Sequence, residues 1–179
     1  FERNSSKKVE LLSKVYDHAK KSYKYGFRLL TLGWSDGNTF LPINSCLLSS
    51  ENKKNRITEA KSLDKRTNGY ARRALAKTKA TSVMIELIDQ AQKANIPASY
   101  VLFDTWFCFP ASITQIKKKG LDVIAMLKKT PKMYFLYNEQ MQPITEIYKQ
   151  NKKRRGKSKY LLSVEITVVK DQESVPARV

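Results

Sequence analysis

The chain is poor in the residues that build disulfide frameworks, zinc sites and nucleophile triads. Its 179 residues include two cysteines and one histidine. Cys46 and Cys108 are too few and too far apart in sequence for a disulfide framework or a zinc site, which favours a reducing cytoplasm. His18 has no motif partner with which a serine or cysteine triad could form, so a hydrolase of that kind is disfavoured.

Long apolar runs and acidic residues are also scarce. No segment approaches 18 consecutive apolar residues, no lipidation motif is visible, and the first eight residues lack the apolar centre of a signal peptide. We therefore expect no membrane partner, and Phe1 in place of Met predicts a chain that begins inside a longer reading frame. Asp and Glu number 16 against 34 Lys and Arg, a formal net charge of +18. This imbalance indicates a polyanionic partner, for which nucleic acid is the best candidate.

The stretch 99–129 carries the strongest indication of chemistry. Its apolar run 100–103 predicts a buried strand that ends at Asp104. Residues 111–119 then predict a short helix ending at Gly120, and a second buried strand follows. A carboxylate at the end of a buried strand, before such a crossover, lies where open α/β sheets place their sites. The alternative is that Asp104 only caps the next helix.

The rest of the chain predicts a mixture of helices and strands around one core. Apolar spacing predicts helices over 8–25 and 81–95, the second capped by Thr81 or Ser82. Strands are predicted over 27–34, 39–48, 132–137, 143–149 and 159–170, with a loop over 49–67. Ser35-Asp36-Gly37-Asn38 predicts a hairpin turn, in which Asp36 is a turn residue and not a ligand.

Two basic segments are candidates for contact with DNA. The first is the alanine-rich stretch 69–79, with Arg72 and Arg73. The second is the octamer 152–159, whose charged residues are Lys152, Lys153, Arg154, Arg155, Lys157 and Lys159. A solvated face or hairpin tip is the ordinary interpretation of such a charge cluster. Three tyrosines of this region fit either base stacking or half-buried strand packing: Tyr134, Tyr137 and Tyr148.

Six motifs follow one another along nearly the whole chain. They are Ser6-Lys-Lys-Val-Glu-Leu-Leu, Val15-Tyr-Asp-His18, Gly26-Phe-Arg-Leu-Leu-Thr-Leu-Gly33-Trp-Ser-Asp-Gly37, Phe40-Leu-Pro, Val101-Leu-Phe-Asp104-Thr-Trp-Phe and Gly120-Leu-Asp-Val-Ile-Ala-Met-Leu-Lys-Lys-Thr130. In this order they resemble bacterial DDE transposases of the insertion-sequence-four type, with Asp104 on the second catalytic strand.

This resemblance implies an α/β fold, namely a ribonuclease H-like mixed sheet with flanking helices, interrupted near the C-terminus by a β-rich insertion. Residues 1–130 would form a partial catalytic core. Residues 131–179 would begin the insertion, with the basic octamer as a DNA-contacting hairpin. The first strand and the last helix of that fold would be missing from the chain.

The resemblance also implies an activity and its partners. The activity is DNA transposition, in which metal-dependent phosphoryl transfer cleaves and joins strands, with Mg²⁺ or Mn²⁺ held by three carboxylates. Asp104 would be a catalytic residue and a metal ligand. The partners would be double-stranded transposon ends and, in the intact DNA complex, a second copy of the protein, in the bacterial cytoplasm at the nucleoid.

Two of the three carboxylates have no match in this chain. The family's first Asp precedes the Ser6 motif, and its Glu follows a Tyr, two residues, an Arg and three more residues. The two Tyr and Arg pairs with this spacing place Leu32 and Lys77 at the Glu position. We therefore expect a truncated, inactive fragment that binds no metal tightly. The alternative is a non-catalytic nucleic-acid-binding remnant, and a ribosome-associated basic protein is a third possibility.

Overall fold

The computed structural model describes residues 2–3, 8–130, 132–152 and 162–179. The chain forms two units, Phe1–Pro97 and Ala98–Val179. Each unit combines helices with small sheets, so the predicted α/β class is confirmed. Within the described ranges, no helix is long and apolar enough to cross a membrane.

The described part of the first unit contains two antiparallel strand pairs, two α-helices and a short 3-10 helix at Lys53–Asn55. Strands β1 (Ser13–Asp17) and β2 (Ser22–Gly26) form one pair, and β3 (Arg28–Ser35) and β4 (Phe40–Leu48) form the other. The second pair is the predicted hairpin. Its turn forms because the Asp36 carboxylate accepts the N–H groups of Asn38 and Thr39, at 2.9 and 2.7 Å. Asp36 is therefore a turn residue, as predicted.

Helices α1 (Asn68–Ala76) and α2 (Ala80–Lys93) follow the loop in the first unit. Val83 and Leu87 on α2 pack against Cys46 and Leu48 of β4 in one buried cluster. The predicted α2 helix is confirmed, but its predicted cap is wrong. Lys79 occupies the N-cap position without a side-chain hydrogen bond, because Thr81 and Ser82 already lie inside the first turn.

The predicted helix over 8–25 is wrong, since this segment forms the β1–β2 hairpin. Asp17 Oδ1 accepts the N–H groups of Ala19 and Lys20, at 2.9 and 3.1 Å, which closes a turn in place of a helix. Lys21 has a φ of 48°, a left-handed conformation that no α-helix contains. β-Branched and aromatic residues on both sides of this turn favour strands.

The second unit begins with a strand–helix–strand crossover. Strands β5 (Tyr100–Phe103) and β6 (Asp122–Ala125) are parallel, and α3 (Pro110–Lys118) connects them. Pro110 lies in the first turn of α3, where its missing N–H costs no hydrogen bond. Gly120 follows the helix with a φ of +77°, which a glycine adopts readily. The predicted order of strand, helix and strand is confirmed.

The prediction that both of these strands are buried is wrong. Their residues alternate between the core and solvent, and on β5 the Leu102 side chain is 70% exposed. Phe103 and Val123 pack on the core, whereas Tyr100 and Ile124 lie on the open face. The apolar run predicted burial on both faces, but in a two-stranded pair only one face is covered.

The second unit is completed by a four-stranded antiparallel sheet and one helix. The strands are β7 (Tyr134–Tyr137), β8 (Gln140–Pro143), β9 (Glu165–Lys170) and β10 (Glu173–Arg178), in the order β10-β9-β7-β8. β7 and β9 confirm two predicted strands, the second over its described part. Phe135, Ile166 and Val168 share a buried cluster with Cys108 and Ile113. The crossover and the antiparallel sheet therefore have a common core.

The predicted strand over 143–149 is wrong, because helix α4 (Ile144–Asn151) occupies it. Pro143 stands at the N-cap with extended backbone angles, so the helix begins directly after it. Ile147 is fully buried, and Asn151 one turn later donates to the Ile147 carbonyl at 2.8 Å. The β-branched content of the segment predicted a strand, but the segment forms a helix that buries Ile147 in the core.

Candidate active site and nucleic-acid interface

Asp104 follows β5 directly and lies at the carboxyl end of the parallel pair. Its Oδ1 accepts the backbone N–H of Trp106 at 2.9 Å, and its carbonyl accepts the N–H of Phe107 at 3.3 Å. The side chain is exposed. One carboxylate oxygen thus fixes a turn, while Oδ2 accepts no hydrogen bond from the described residues. This arrangement holds the carboxylate in place and leaves an oxygen open to solvent.

The crossover places Asp104 and Asp122 at opposite ends of the parallel pair. Phe103 pairs with Ala125 at the carboxyl edge, whereas Asp122 pairs with Tyr100 at the other edge. The Asp122 carboxylate also forms an ion pair with Lys117 of α3. Asp122 is therefore not a second carboxylate for a site built around Asp104.

Three other acidic residues are engaged elsewhere, namely Asp17, Glu165 and Glu173. The Asp17 carboxylate caps its own turn, and the backbone N–H of Lys20 is the main reason that its pKa is lowered. Glu165 forms an ion pair with Arg178, and Glu173 with Lys118 at 2.9 Å. In the described part of the chain, no three His, Cys, Asp or Glu side chains converge as a metal site would require.

The residues present therefore do not fit a complete Mg²⁺ or Mn²⁺ site. Such ions bind through several oxygen ligands and otherwise keep most of their waters. Asp104 supplies one carboxylate with one open oxygen. We derive no catalytic step through a metal from this set of residues.

An exposed aromatic ring lies two residues after Asp104. Trp106 is 62% exposed, and the Lys128 ammonium lies 5.5 Å from its ring centroid, within the range of a cation–π contact. Met126 follows β6 at the same edge and is also exposed. The edge that carries Asp104 thus combines a carboxylate, a cation and apolar surface.

Cys108 lies close to Asp104 in sequence but is not a nucleophile candidate. Its side chain is buried in the core cluster of the second unit, and burial raises the pKa of its thiol. A protonated, inaccessible thiol is unreactive. The sequence-based interpretation of Cys108 as an apolar core residue is therefore confirmed.

The two arginines proposed for DNA contact on α1 differ in what they already bind. Arg73 contacts the Glu10 carboxylate with two nitrogens, at 2.7 and 3.2 Å, and donates to the Gly69 carbonyl at 3.1 Å. This pairing holds the pKa of Glu10 at about 2, below its usual 4.5. Arg72, by contrast, is exposed. Arg72 is the better placed of the two to reach a phosphate.

The basic octamer lies mostly outside the described residues. Lys152 is the C-cap of α4 and is exposed. Five predicted DNA-contacting residues fall outside the described ranges: Lys153, Arg154, Arg155, Lys157 and Lys159. Their role stays a prediction.

Sequence reasoning missed a group of exposed aromatic residues on the β1–β2 hairpin. Tyr16, Tyr23 and Tyr25 lie there, and the sequence had assigned all three to a helix. The available signal was the alternation of tyrosine with lysine in Ser22-Tyr-Lys-Tyr25, which is typical of a strand with one solvent-facing side.

Comparison with known protein families gives a match over nearly the whole chain. The family model described as DDE superfamily endonuclease matches residues 1–177. No curated protein and no solved structure gives a significant match.

Proposed function

This chain belongs to the DDE superfamily endonucleases, a family that acts on DNA and generally uses divalent metals, and on this premise we propose that it carries part of the catalytic site of a DNA transposase. The proposed type is that of insertion sequence four, with a ribonuclease H-like sheet and a β-rich insertion from residue 131. The position of Asp104, at the carboxyl end of β5 before a parallel crossover, is the observation that carries the proposal.

Asp104 is the proposed catalytic carboxylate and metal ligand of this chain. In the family's reaction, divalent ions stabilise the attacking and leaving oxygens of phosphoryl transfer. Asp104 would bind such an ion through its open oxygen, while the Trp106 N–H keeps the other oxygen in place. The reaction requires two further carboxylates, and at the family's Glu spacing this chain has Leu32 and Lys77. We therefore propose that the chain alone neither cuts nor joins DNA.

DNA binding is the activity that the chain retains under this proposal. The net charge of +18 favours association with a phosphate backbone. Arg72 and Lys152 are exposed and are the described residues that we assign to phosphate contacts. Double-stranded transposon ends are the proposed ligand. A homodimer of the intact protein on DNA, at the bacterial nucleoid, completes the proposal.

A nicking assay tests the proposed inactivity. We expect no conversion of supercoiled plasmid to the nicked form in Mg²⁺ or Mn²⁺, for either the wild type or Asp104→Asn. Nicking by the wild type that Asp104→Asn abolishes would refute the inactivity and would support the role of Asp104.

Mobility-shift titrations against salt test the DNA contacts. Arg72→Gln and Lys152→Gln should each reduce the slope of log affinity against log salt concentration by about one and weaken binding to all duplexes alike. Lys93→Gln, on the exposed end of α2, is the matched control and should change neither quantity. Unchanged slopes for all three variants would contradict the assignment.

A non-catalytic nucleic-acid-binding remnant is the second candidate, and the absence of a converging acidic cluster in the described residues favours it. The DNA that flanks the reading frame distinguishes the two. An Asp-bearing strand upstream and a Tyr-x-x-Arg-x-x-x-Glu pattern downstream would support the transposase, whose restored form should lose activity with Asp104→Asn. Unrelated flanking sequence with start and stop signals would support the remnant.

A further inference from the structure

The β1–β2 hairpin has one face that is open to solvent and largely aromatic. Alternate residues of a strand share a face, and Tyr16 pairs directly with Tyr23, as Lys14 does with Tyr25. All four residues therefore lie on the same side. The three tyrosines are 44%, 72% and 37% exposed in chain order, and Lys14 is exposed as well.

The opposite face of the hairpin is turned toward the protein. Ser13 is fully buried, and Val15 and Lys24 are partly buried. Folding thus covers this side of the small sheet in part and leaves the tyrosine side more open to solvent. An isolated exposed tyrosine is ordinary, but three on one face of a two-stranded sheet form a continuous aromatic surface.

The rings of this surface hold one another in defined positions. The Tyr16 ring lies 5.3 Å from the Tyr23 ring and 5.0 Å from the His18 ring, in both cases in an edge-to-face arrangement. Such contacts orient aromatic side chains before any ligand binds. Tyr23, the most exposed of the three tyrosines, has most of its surface available to a planar ligand.

The charge around this aromatic surface is positive. Between Ser13 and Gly26 there are four lysines and one acidic residue, Asp17. The Asp17 carboxylate is held by the N–H groups of its own turn. Lys20 and Lys24 face Glu2, at 3.3 and 3.9 Å. Lys14 and Lys21 are exposed and have no ion-pair partner among the described residues.

We propose that the aromatic face of the β1–β2 hairpin is a stacking surface for the unpaired bases of single-stranded DNA. Aromatic side chains stack on bases of any sequence, and neighbouring lysines attract the phosphates that connect them. In a duplex the base faces are already stacked on one another, so the rings select unpaired DNA. The inference rests on the proposed DNA-binding function and adds a second ligand form with its own residues.

Fluorescence-anisotropy titrations of the full chain test this inference, with a labelled thymidine oligonucleotide and a labelled duplex as separate probes. Tyr23→Ala should weaken binding of the oligonucleotide by at least fivefold and leave duplex affinity within twofold. Tyr23→Trp should restore the affinity, because it restores a stacking ring. Tyr100→Ala removes an exposed tyrosine from β5, at the end of the parallel pair opposite Asp104, and should change neither affinity.

The two probes separate failure of this inference from failure of the proposed function. Wild-type protein that binds neither probe would refute DNA binding altogether. Normal duplex binding with no selective loss of oligonucleotide binding in Tyr23→Ala would refute the stacking surface alone. A change in sedimentation of Tyr23→Ala, without a change in oligonucleotide affinity, would instead identify the face as a contact between copies of the chain and would also overturn the proposal.

Discussion

Truncation of Phe135 to alanine should destabilise the second unit more than the same truncation of its neighbour Tyr134. Phe135 lies on β7 and is fully buried among residues of α3, α4 and β9, whereas Tyr134 is 47% exposed on the other face. A buried Phe removes about 200 Å² from water, which at about 25 cal/mol per Å² contributes about 5 kcal/mol. Phe135→Ala should therefore cost about 3–5 kcal/mol.

Urea unfolding followed by circular dichroism measures this cost. A unit of this size is stable by about 4–12 kcal/mol, so Phe135→Ala should remove a large share of its stability. Phe135→Leu keeps most of the volume and should cost less than about 1.5 kcal/mol. Tyr134→Ala is the matched control and should cost less than about 1 kcal/mol. If Tyr134→Ala cost as much as Phe135→Ala, the alternation of β7 and its packing on the core would be refuted.

Three further experiments test other parts of the structure. Arg73 lowers the pKa of Glu10 to about 2. The stability that this ion pair contributes should therefore be present above pH 4.5 and be lost as the pH falls toward 2. Glu10→Gln should abolish that pH dependence in thermal melts. Gly120→Ala should cost about 1–2 kcal/mol in urea unfolding, because an L side chain disfavours the φ of +77° at this position. A clash does not contribute to this cost, since no atom lies within 4 Å of an added Cβ. Cys46 and Cys108 are buried with raised thiol pKa values, so Ellman's reagent should label them at the rate of unfolding, and rapid labelling in native buffer would contradict their burial.

Sequence patterns predicted the elements whose boundaries depend on local chemistry. The β3–β4 hairpin was predictable because Asp36 forms the turn with its own backbone neighbours. Helix α3 was predictable because Pro110 begins it and Gly120 follows its end. In both cases the residues that decide the structure lie within a few positions of one another, so one sequence contains the whole explanation.

The wrong predictions concern segments whose structure depends on distant contacts. Residues 8–25 have apolar spacing that suits a helix, but the part of this segment that precedes β1 is hydrogen-bonded to the loop after β4. There the Thr58 hydroxyl donates to the Val9 carbonyl, and the Ile57 N–H donates to the Leu12 carbonyl at 2.7 Å. These bonds hold the chain before β1 in a bent, non-helical path, in which Leu11 has a φ of 57°. The periodicity of one segment contains no information about such partners, which here lie 45 and 49 residues away.

Asp104 shows the same limit at the level of function. Its place at the carboxyl end of β5 follows from an apolar run, a turn and a crossover, which are all local to residues 99–125. A metal site, however, is a property of several carboxylates that different strands bring together. The next acidic residue after it along the chain is used otherwise, since Asp122 pairs with Lys117 at the far end of the same sheet. The position of Asp104 in the fold therefore identifies it as the candidate residue. Catalysis requires further carboxylates beside Asp104, which the described residues of this chain do not supply.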